Sequence, residues 1–234
     1  MVRATDIGTI AAQDVVVVLV GLTAGWRKRR SARQYFRAAF GDQAFVPWIP
    51  YPLGLRASAA WVSFLLRRRF APDGAGRLHF VFYIGGGVIF RLLHAQGARW
   101  PIGRTVWDRG PLQEQLARRL CARVPAFLLT LLGFRSVVDL SRTDPASLSF
   151  PSSPLGAGLI VETKSSALAR WLGIEEATLD LSPEALERLL PDADAIVTVP
   201  LSHDDVYDDA HFLDQASTFL KTRAFAGPGQ EVAR

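Results

Sequence analysis

The sequence predicts an α/β protein in which helices cover both faces of a mainly parallel β-sheet. Strand-like apolar runs alternate with segments of helical periodicity along the whole chain. The run "DVVVVLVGL" at 14–22 is continuously apolar and rich in β-branched residues, which is typical of a strand buried on both faces. A second apolar run, at 78–84, leads into the glycines "GGG" and then a further apolar segment. This arrangement indicates a strand, a tight turn and a helix.

The first part of the chain contains two predicted helices. Residues 26–40 carry apolar side chains at helical spacing, and Gly41 provides a C-terminal stop signal. Residues 57–70 show the same periodicity. Between the two helices, residues 44–52 are predicted to form a short strand that is ended by prolines.

The later elements follow the same alternation. In chain order they are a turn at 72–76, a helix at 88–97, a strand at 104–108, a helix at 112–124, a Ser- and Pro-rich loop at 141–157, a strand at 158–163, a helix at 183–190, a strand at 195–200 and a helix at 210–225. We expect one domain over residues 1–225 and a flexible C-terminal tail at 226–234.

Composition restricts the class of protein. The 234 residues suffice for one domain with a real core, and the 49% hydrophobic content argues against disorder. The single cysteine, Cys121, excludes an intramolecular disulfide. The first residues lack the pattern of a secretory signal, and the apolar runs at 15–22 and 124–134 are shorter than the roughly 20 residues of a membrane span. We therefore expect a cytoplasmic protein.

Functional sites on parallel sheets lie at the carboxyl ends of the strands. Three predicted loops are placed there: the loop after strand 15–20, the loop after strand 78–84, and the loop that opens at residue 201. Candidate site residues are therefore sought in these three loops.

Six segments, in this order, resemble the α/β-hydrolase fold and, more narrowly, its compact bacterial lipase/esterase-like members. They are "VVLVGLTAG", "FYIGGGVIFRLL", "RTVWDRGPLQEQLA", "DLSRTDPASL", "PLGAGLIVETK" and "VPLSHDDVYDDAHFLDQASTFLKTRAF". In that fold the second segment is the nucleophile elbow, a tight strand-to-helix turn that presents the catalytic serine. The last segment resembles the final strand, the catalytic-histidine loop and the closing helix. The resemblance implies an α/β-hydrolase fold with a minimal cap.

The same resemblance implies that the catalytic triad is degenerate. The elbow serine becomes Ile84, the acid becomes Leu155, and only the histidine is retained, as His203. The other departures are Phe82 and Tyr83 for the elbow's glycine and histidine, and Val20 for the histidine before the first loop's glycine. Isoleucine has neither a proton to give nor a lone pair for attack, and leucine cannot orient an imidazole. Loss of a triad member costs about three to six orders of magnitude in rate.

Some features of a hydrolase site do not depend on these side chains. The oxyanion hole of the family uses backbone N–H groups, and the corresponding groups here belong to Leu22 and Gly85. The candidate residues around an unused acyl pocket are Gly21, Tyr83, Ile84 and Gly86.

Alternative interpretations keep some chemistry. A displaced nucleophile could be Ser165, Ser166 or Ser202, and the acid could be Asp139, Asp192 or Asp194. His203 could activate water directly, or it could be a structural residue in the acidic turn of Asp204, Asp205, Asp208 and Asp209. That turn lacks the glycine of a calcium loop, and the residues after "GGG" do not fit a dinucleotide fingerprint. We expect no metal and no cofactor, and we expect the acidic residues to cap helix 210–225.

Basic residues cluster in three places. Arg27, Lys28, Arg29 and Arg30 open the first helix, Arg67, Arg68 and Arg69 end the second, and Arg118, Arg119 and Arg123 lie on the helix at 112–124. Each cluster is either a solvated helix face or a patch for an anionic partner such as lipid head groups or an acidic protein. Nucleic acid is not expected, because no recognition motif is present. The apolar segment 124–138 is core, lid, interface or a shallow membrane contact.

Taken together, the residues and the resemblance predict a non-catalytic, lipase/esterase-like protein. It would act as a binding or structural subunit that contacts another protein or a larger assembly, with an apolar or acyl ligand pocket. A lipid or membrane surface is a further candidate partner, which would place the protein at the inner face of a membrane. The alternative is an active serine hydrolase of esters or lipids whose nucleophile is relocated.

Overall fold

The computed structural model describes residues 10–22, 25–70, 76–97, 100–108, 113–143, 153–173 and 180–227. The strands are β1 (Val15–Leu19), β2 (Ala44–Phe45), β3 (Leu78–Phe82), β4 (Ile102–Asp108), β5 (Ala157–Lys164) and β6 (Ala195–Ser202). The helices are α1 (Trp26–Phe40), α2 (Leu55–Arg69), α3 (Ile84–Ala95), α4 (Gln113–Arg123), α5 (Ala126–Leu131), α6 (Arg135–Arg142), α7 (Ala167–Trp171), α8 (Pro183–Leu189) and α9 (Ala210–Thr222). Short 3₁₀ helices lie at Gly41–Gln43 and Tyr51–Leu53.

The described strands form one parallel sheet in the order β2-β1-β3-β4-β5-β6. Their carboxyl ends therefore meet at one edge. The order reverses direction after β1, because β2 pairs on one side of β1 and β3 pairs on the other. Right-handed crossovers then place α1 and α2 on opposite faces of the sheet.

The period-two alternation of the strands fills both faces of the sheet with apolar side chains. Val17 and Leu19 of β1 pack on one face with α2, α3, α4, α6 and α8. Val16 and Val18 pack on the other face with α1 and α9. This double burial explains why β1 is apolar at every position. The predicted α/β class with helices on both faces is confirmed.

The main differences from the predicted elements have local causes. The strand predicted at 44–52 is only two residues long, because Pro47 and Pro50 cannot donate to a ladder. The apolar segment after α4 forms two short helices, α5 and α6, with a corner at 132–134. Helix α7 was not predicted. The predicted turn at 72–76, residues 144–152 of the predicted loop and residues 228–234 of the predicted tail lie largely or wholly outside the described residues.

The glycine cluster belongs to α3 and does not form a separate turn. The helix begins at Ile84, directly after Tyr83. A Cβ on Gly86 would lie 2.0 Å from the carbonyl oxygen of Leu19, and a Cβ on Gly85 would lie 2.8 Å from the backbone nitrogen of Leu22. The first turn of α3 therefore packs directly against the end of β1, and only glycine permits this approach.

None of the described helices has the length and apolar character that crossing a membrane requires.

Candidate functional site

The turn between β3 and α3 lies at the carboxyl edge of the sheet. Ile84 is the first residue of α3, and its side chain lines a cavity at this edge. A nucleophile elbow normally holds its apex residue in a strained conformation. Among the described non-glycine residues only Arg223 has a positive φ. The backbone of Ile84 is therefore not in the strained left-handed region. An aliphatic side chain therefore occupies the apex without measurable backbone strain.

The imidazole of His203 contacts two buried carboxyl groups. Its Nδ1 lies 3.0 Å from Oε1 of Glu162 and 3.7 Å from Oδ2 of Asp108. Glu162 lies on β5, Asp108 ends β4, and His203 directly follows β6. Three adjacent strands thus bring these groups together, because parallel strands end at the same edge.

These three groups form a tightly coupled charge cluster. Burial and the nearby charge of Glu162 raise the pKa of the Asp108 carboxyl well above its usual value. Neither carboxyl oxygen of Asp108 has a hydrogen-bond partner among the described residues. Burial alone would lower the pKa of the His203 imidazole, but the charge of Glu162 and the contacts with both carboxyl groups raise it to about 10. These shifts favour the protonated form of the His203 imidazole and the neutral form of the Asp108 carboxyl group.

A protonated imidazole has a restricted chemistry. It cannot accept a proton from a hydroxyl or from water, which a general base must do. It can still donate a hydrogen bond through Nε2. That atom lies near the loop after β1, since a Cβ on Gly21 would be 3.6 Å from it.

The backbone around this loop resembles an oxyanion site. Gly85 packs against the backbone nitrogen of Leu22, so the two predicted donors are neighbours. The Gly85 N–H belongs to the first turn of α3, where no intrahelical acceptor exists. The N–H of Gly21 is already used, because it donates to the hydroxyl of Tyr207 at 3.0 Å. The structure thus places Leu22, Gly85 and the His203 imidazole around one space.

Tyr83 is packed below this space and does not line it. Its ring stacks on Tyr207, with centroids 4.3 Å apart, and both side chains are fully buried. Gly86 is covered by the main chain of β1. Of the predicted pocket residues, Ile84 lines the cavity directly, whereas Gly21, Tyr83 and Gly86 are not among the residues of its wall.

The cavity is small and apolar, with a volume of about 100 Å³. Helices α4, α6 and α7 cover it. Its walls are formed by Leu22, Ile84, Gly85, Leu116, Ala117, Leu120, Val137, Leu140, Ser166, Leu168, His203 and Asp204. The polar groups are thus at one end and aliphatic side chains form the remainder.

The structure does not bring Leu155 to this site. Leu155 precedes the first residue of β5, at the amino edge of the sheet, whereas Glu162 lies seven residues further along, where the strand ends. The residue that contacts the imidazole from β5 is therefore Glu162. The resemblance implied an acid at Leu155 because of the glycine that follows it, but this position lies before β5 and not at its carboxyl end.

The three alternative acids also lie elsewhere. Asp139 accepts a hydrogen bond from the backbone nitrogen of Leu55 at 2.9 Å. Asp194 accepts one from the backbone nitrogen of Ala157 at 2.6 Å, at the amino edge of β5. Asp192 is exposed in the turn before β6. Each has a structural position away from His203.

Ser165 and Ser166 follow β5, Ser202 is the last residue of β6, and the hydroxyl groups of Ser166 and Ser202 bond to groups other than the imidazole. The hydroxyl of Ser166 caps α7 by accepting from Ala169, and that of Ser202 donates to Asp205 at 2.7 Å. Ser165 is buried, and its hydroxyl has no hydrogen-bond partner among the described residues. Ser166 nevertheless lines the same cavity as His203.

The acidic turn after β6 has structural roles. Asp209 caps α9 by accepting from the backbone nitrogen of Phe212 at 3.0 Å, as the sequence indicates. Asp204 accepts from the backbone nitrogen of Ala167, which ties the turn to the start of α7.

The cluster of Asp108, Glu162 and His203 could also hold a metal ion, because one ligand atom from each lies within 4.8 Å of the others. Metal ligation requires the imidazole and both carboxyl groups to lose their protons. The raised pKa values of His203 and Asp108 oppose this loss. The residues thus form a possible donor set, and binding of a cation there would release protons from His203 and Asp108.

The predicted basic patch is divided between two surfaces. Arg27, Lys28, Arg29 and Arg30 lie on α1, and Arg67, Arg68 and Arg69 lie on α2, on the opposite face of the sheet. They cannot form one continuous surface, because the crossover directions separate the two helices.

Sequence reasoning missed Glu162 and Asp108. Both lie within predicted strands, Glu162 in the strand at 158–163 and Asp108 in the strand at 104–108. The available signal was that two largely apolar strands each carry one carboxylate near the carboxyl end. The parallel pairing of β4 with β5 makes these two carboxylates neighbours.

No protein-family profile matches this chain, and no curated protein matches it significantly in sequence. Solved structures do match. An α/β-hydrolase enzyme from a sediment metagenome of the Mar Chica lagoon, Morocco, is 15% identical, with a TM-score of 0.53, over 85% of this chain and 86% of that one. The RedJ thioesterase of the prodiginine pathway of Streptomyces coelicolor is 15% identical, with a TM-score of 0.50, over 95% and 91%.

A putative aryl esterase from Burkholderia cenocepacia is 12% identical, with a TM-score of 0.51, over 89% of this chain and 90% of that chain. At these identities the likeness concerns the fold alone. Together with the six-stranded parallel sheet, its helices on both faces and the histidine loop after the last strand, it establishes that this chain has the α/β-hydrolase fold.

Proposed function

We propose that the protein is a non-catalytic member of the α/β-hydrolase fold that binds a small apolar ligand, such as an acyl group, in the cavity above Ile84. It would act as a binding or structural subunit. The observation that carries the proposal is the isoleucine at the apex of the β3–α3 turn, which faces the cavity beside the imidazole. An acyl-enzyme cannot form on this side chain.

The charge state of His203 supports the same conclusion independently. Its pKa of about 10 leaves the imidazole protonated at neutral pH. A serine introduced by any local rearrangement would therefore meet an acid and not a base. Glu162 lies 3.0 Å from Nδ1 of His203, as a triad acid would, and its charge together with the contacts to Asp108 favours the imidazolium.

The cavity supports binding of a compact ligand. An apolar cavity of 150 Å³ can hold benzene, and this one measures about 100 Å³, so a short acyl chain fits without displacement of α4 and α6. Burying the three apolar carbons of a four-carbon acid contributes roughly 2.4 kcal/mol. A charge-assisted hydrogen bond from the imidazolium to a ligand oxygen adds about 1.5–3 kcal/mol. The cost of association offsets most of this gain, so we expect a dissociation constant weaker than about 1 mM.

Two measurements test the proposal. Hydrolysis of p-nitrophenyl esters of two to sixteen carbons should not exceed the uncatalysed rate. Titration of ¹⁵N-labelled protein with butyrate should shift amide resonances of the loop after β1 and of α3. An Ala117→Leu variant, which fills the cavity, should abolish these shifts, whereas the matched change of exposed Ala60→Leu should not. Ester turnover that His203→Ala abolishes would contradict the non-catalytic part.

One observation favours the alternative of an active hydrolase. Ser166 lines the same cavity as His203, so a modest rearrangement of the start of α7 could bring its hydroxyl to the imidazole. This alternative requires ester turnover in the wild type and its loss in Ser166→Ala. Turnover that survives Ser166→Ala would exclude that residue as the nucleophile.

A further inference from the structure

An exposed aromatic and basic surface runs along the outer side of α2. Trp48, Trp61 and Phe64 are 55%, 38% and 50% exposed. Their rings contact one another in series, with centroids 6.3 Å and 5.8 Å apart. The indole N–H of Trp61 donates to the carbonyl oxygen of Trp48 at 3.0 Å, which fixes the pair at the surface. We call these residues, with Arg67 and Arg68, the α2 face.

The arginines of this face are available to an external anion. Arg67 and Arg68 are exposed and form no ion pair with an acidic residue in the described parts of the chain. Helix α2 contains no Asp or Glu. The arginines and Phe64 line an open groove of about 500 Å³, together with Ala60, Ser63 and Gln96. The groove therefore combines two cations with an apolar wall and has no carboxylate.

A second exposed apolar group adjoins the start of α2. Leu53, Leu131 and Leu132 are each more than 60% exposed. The corner after α5 lies against the 3₁₀ helix before α2, since a Cβ on Gly133 would be 3.8 Å from Pro52. The hydroxyl of Ser136 donates to the carbonyl oxygen of Tyr51, which fixes this corner to the same element. The apolar surface thus extends from α2 to α5.

Positive charge is concentrated in the part of the chain that contains α2. Residues 1–143 contain 21 Lys or Arg and seven Asp or Glu, whereas residues 144–234 contain six and fifteen. The described acidic residues after residue 153 lie in or beside β5, β6, α8 and α9. Strands β5 and β6 form one edge of the sheet, whereas β2 and β3, which precede and follow α2 in the chain, lie in the other half. The molecule is therefore electrically polar, with the α2 face on its cationic side.

We propose that the α2 face docks the protein on a bilayer that contains anionic phospholipids, with Trp48, Trp61 and Phe64 at the headgroup level and a lipid phosphate in the groove of Arg67 and Arg68. Interfacial helices combine tryptophan and phenylalanine with arginine in this way. Anionic lipids attract such cations, and each well-placed arginine strengthens binding about fivefold. This inference goes beyond the proposed ligand binding and does not depend on it.

The experiment compares two charge-reversed variants of the full chain in vesicle flotation. Vesicles contain phosphatidylcholine alone or with 30% phosphatidylglycerol. The wild type should float only with the anionic vesicles. The double variant Arg67→Glu and Arg68→Glu should lose at least tenfold in binding, while the control Arg27→Glu and Arg30→Glu, on α1 at the opposite face, should change it less than threefold.

The aromatic contribution is measured separately. Trp61→Ser with Phe64→Ser should weaken binding to the anionic vesicles at least tenfold and remove a blue shift in tryptophan emission. Unchanged thermal unfolding of each variant confirms that these exposed changes leave the fold intact. Absence of wild-type flotation, or equal loss in the α1 and α2 variants, would overturn the proposal and leave an acidic protein surface as the remaining occupant.

Discussion

The Nδ1 atom of His203 lies 3.0 Å from Oε1 of Glu162, although the nucleophile position at Ile84 is aliphatic. The pair therefore keeps the acid–histidine geometry of a hydrolase without a hydroxyl to activate. Asp108, directly below, adds a second carboxyl group that has no hydrogen-bond partner among the described residues. Burial and the charge of Glu162 raise the pKa of this second carboxyl group, which favours its neutral form.

The protonation of this cluster predicts how stability depends on pH. The folded-state pKa of Asp108 is raised above its unfolded value, so its contribution is fully present below about pH 4 and is lost as pH rises toward the folded pKa. The contribution of His203 to stability has the same sign. It is fully present below about pH 6.5 and is lost as the pH approaches 10. The free energy of unfolding should therefore fall between pH 7 and pH 9, by about 1.4 kcal/mol per pH unit for each retained proton.

Asp108→Asn tests this assignment. The amide does not titrate, so the variant should lose part of the pH dependence and be more stable than the wild type at pH 9. Urea unfolding at pH 6, 7, 8 and 9 measures both slopes. A difference between variant and wild type that stays constant with pH would show that Asp108 is ionised in the folded protein.

Restoring the hydroxyl should not restore a normal hydrolase. In Ile84→Ser the new hydroxyl depends on neutral imidazole, which at pH 7.5 amounts to about 1 in 300 molecules if the pKa is about 10. We expect ester turnover barely above background at pH 7.5, rising about tenfold per pH unit toward pH 9.5. Adding Glu162→Gln should move this rise to lower pH, because it removes the charge that raises the imidazole pKa. A plateau already at pH 7 in the single variant would contradict the assigned protonation.

The packing of α3 on β1 predicts a large effect of one methyl group. Gly86→Ala would place a Cβ 2.0 Å from the carbonyl oxygen of Leu19. This oxygen belongs to the backbone of β1, so it cannot move away by a rotamer change as a side chain could. We expect a loss of at least about 3 kcal/mol in the free energy of unfolding. Gly25→Ala is the control, since its Cβ would meet nothing within 4 Å, and it should change stability by about 0.5 kcal/mol or less. Equal effects would show that the two helix starts are packed alike.

The capping of α9 provides a fourth prediction. Asp209 accepts from the backbone nitrogen of Phe212 at 3.0 Å, and α9 contributes several buried side chains to one core layer. Asp209→Ala should cost about 1 kcal/mol in the free energy of unfolding. Asp192→Ala, at an exposed turn position, serves as the matched control and should be close to neutral. Circular dichroism melts of both variants distinguish these outcomes.

The sequence was sufficient where local pattern determines structure. The continuous run of β1 and the helical period of α1 predicted those elements to within three residues, because burial on both faces and an amphipathic helix leave direct periodic signals. The start of β3 was also predicted, but the strand ends at Phe82 and α3 begins at Ile84, four residues before the predicted helix. The fold class was therefore accessible from the chain alone.

The partners of the site required the sheet topology. Glu162 and Asp108 are single acids near strand ends, and only the pairing of β4 with β5 reveals that they meet. Leu155 was assigned from a short motif, which carries no information about strand direction. The corner between α5 and α6 was also missed, because its apolar residues fit a buried segment as well as an exposed one.

Intact-protein mass spectrometry after incubation with a fluorophosphonate tests the central claim most directly, since this reagent phosphonylates activated serines, with loss of fluoride, irrespective of substrate preference. With Ile84 at the apex and His203 protonated, the wild type should gain no adduct mass at pH 7.5, while a known serine esterase in the same tube is fully labelled. A stoichiometric adduct on any serine of this chain that His203→Ala abolishes would contradict the non-catalytic assignment.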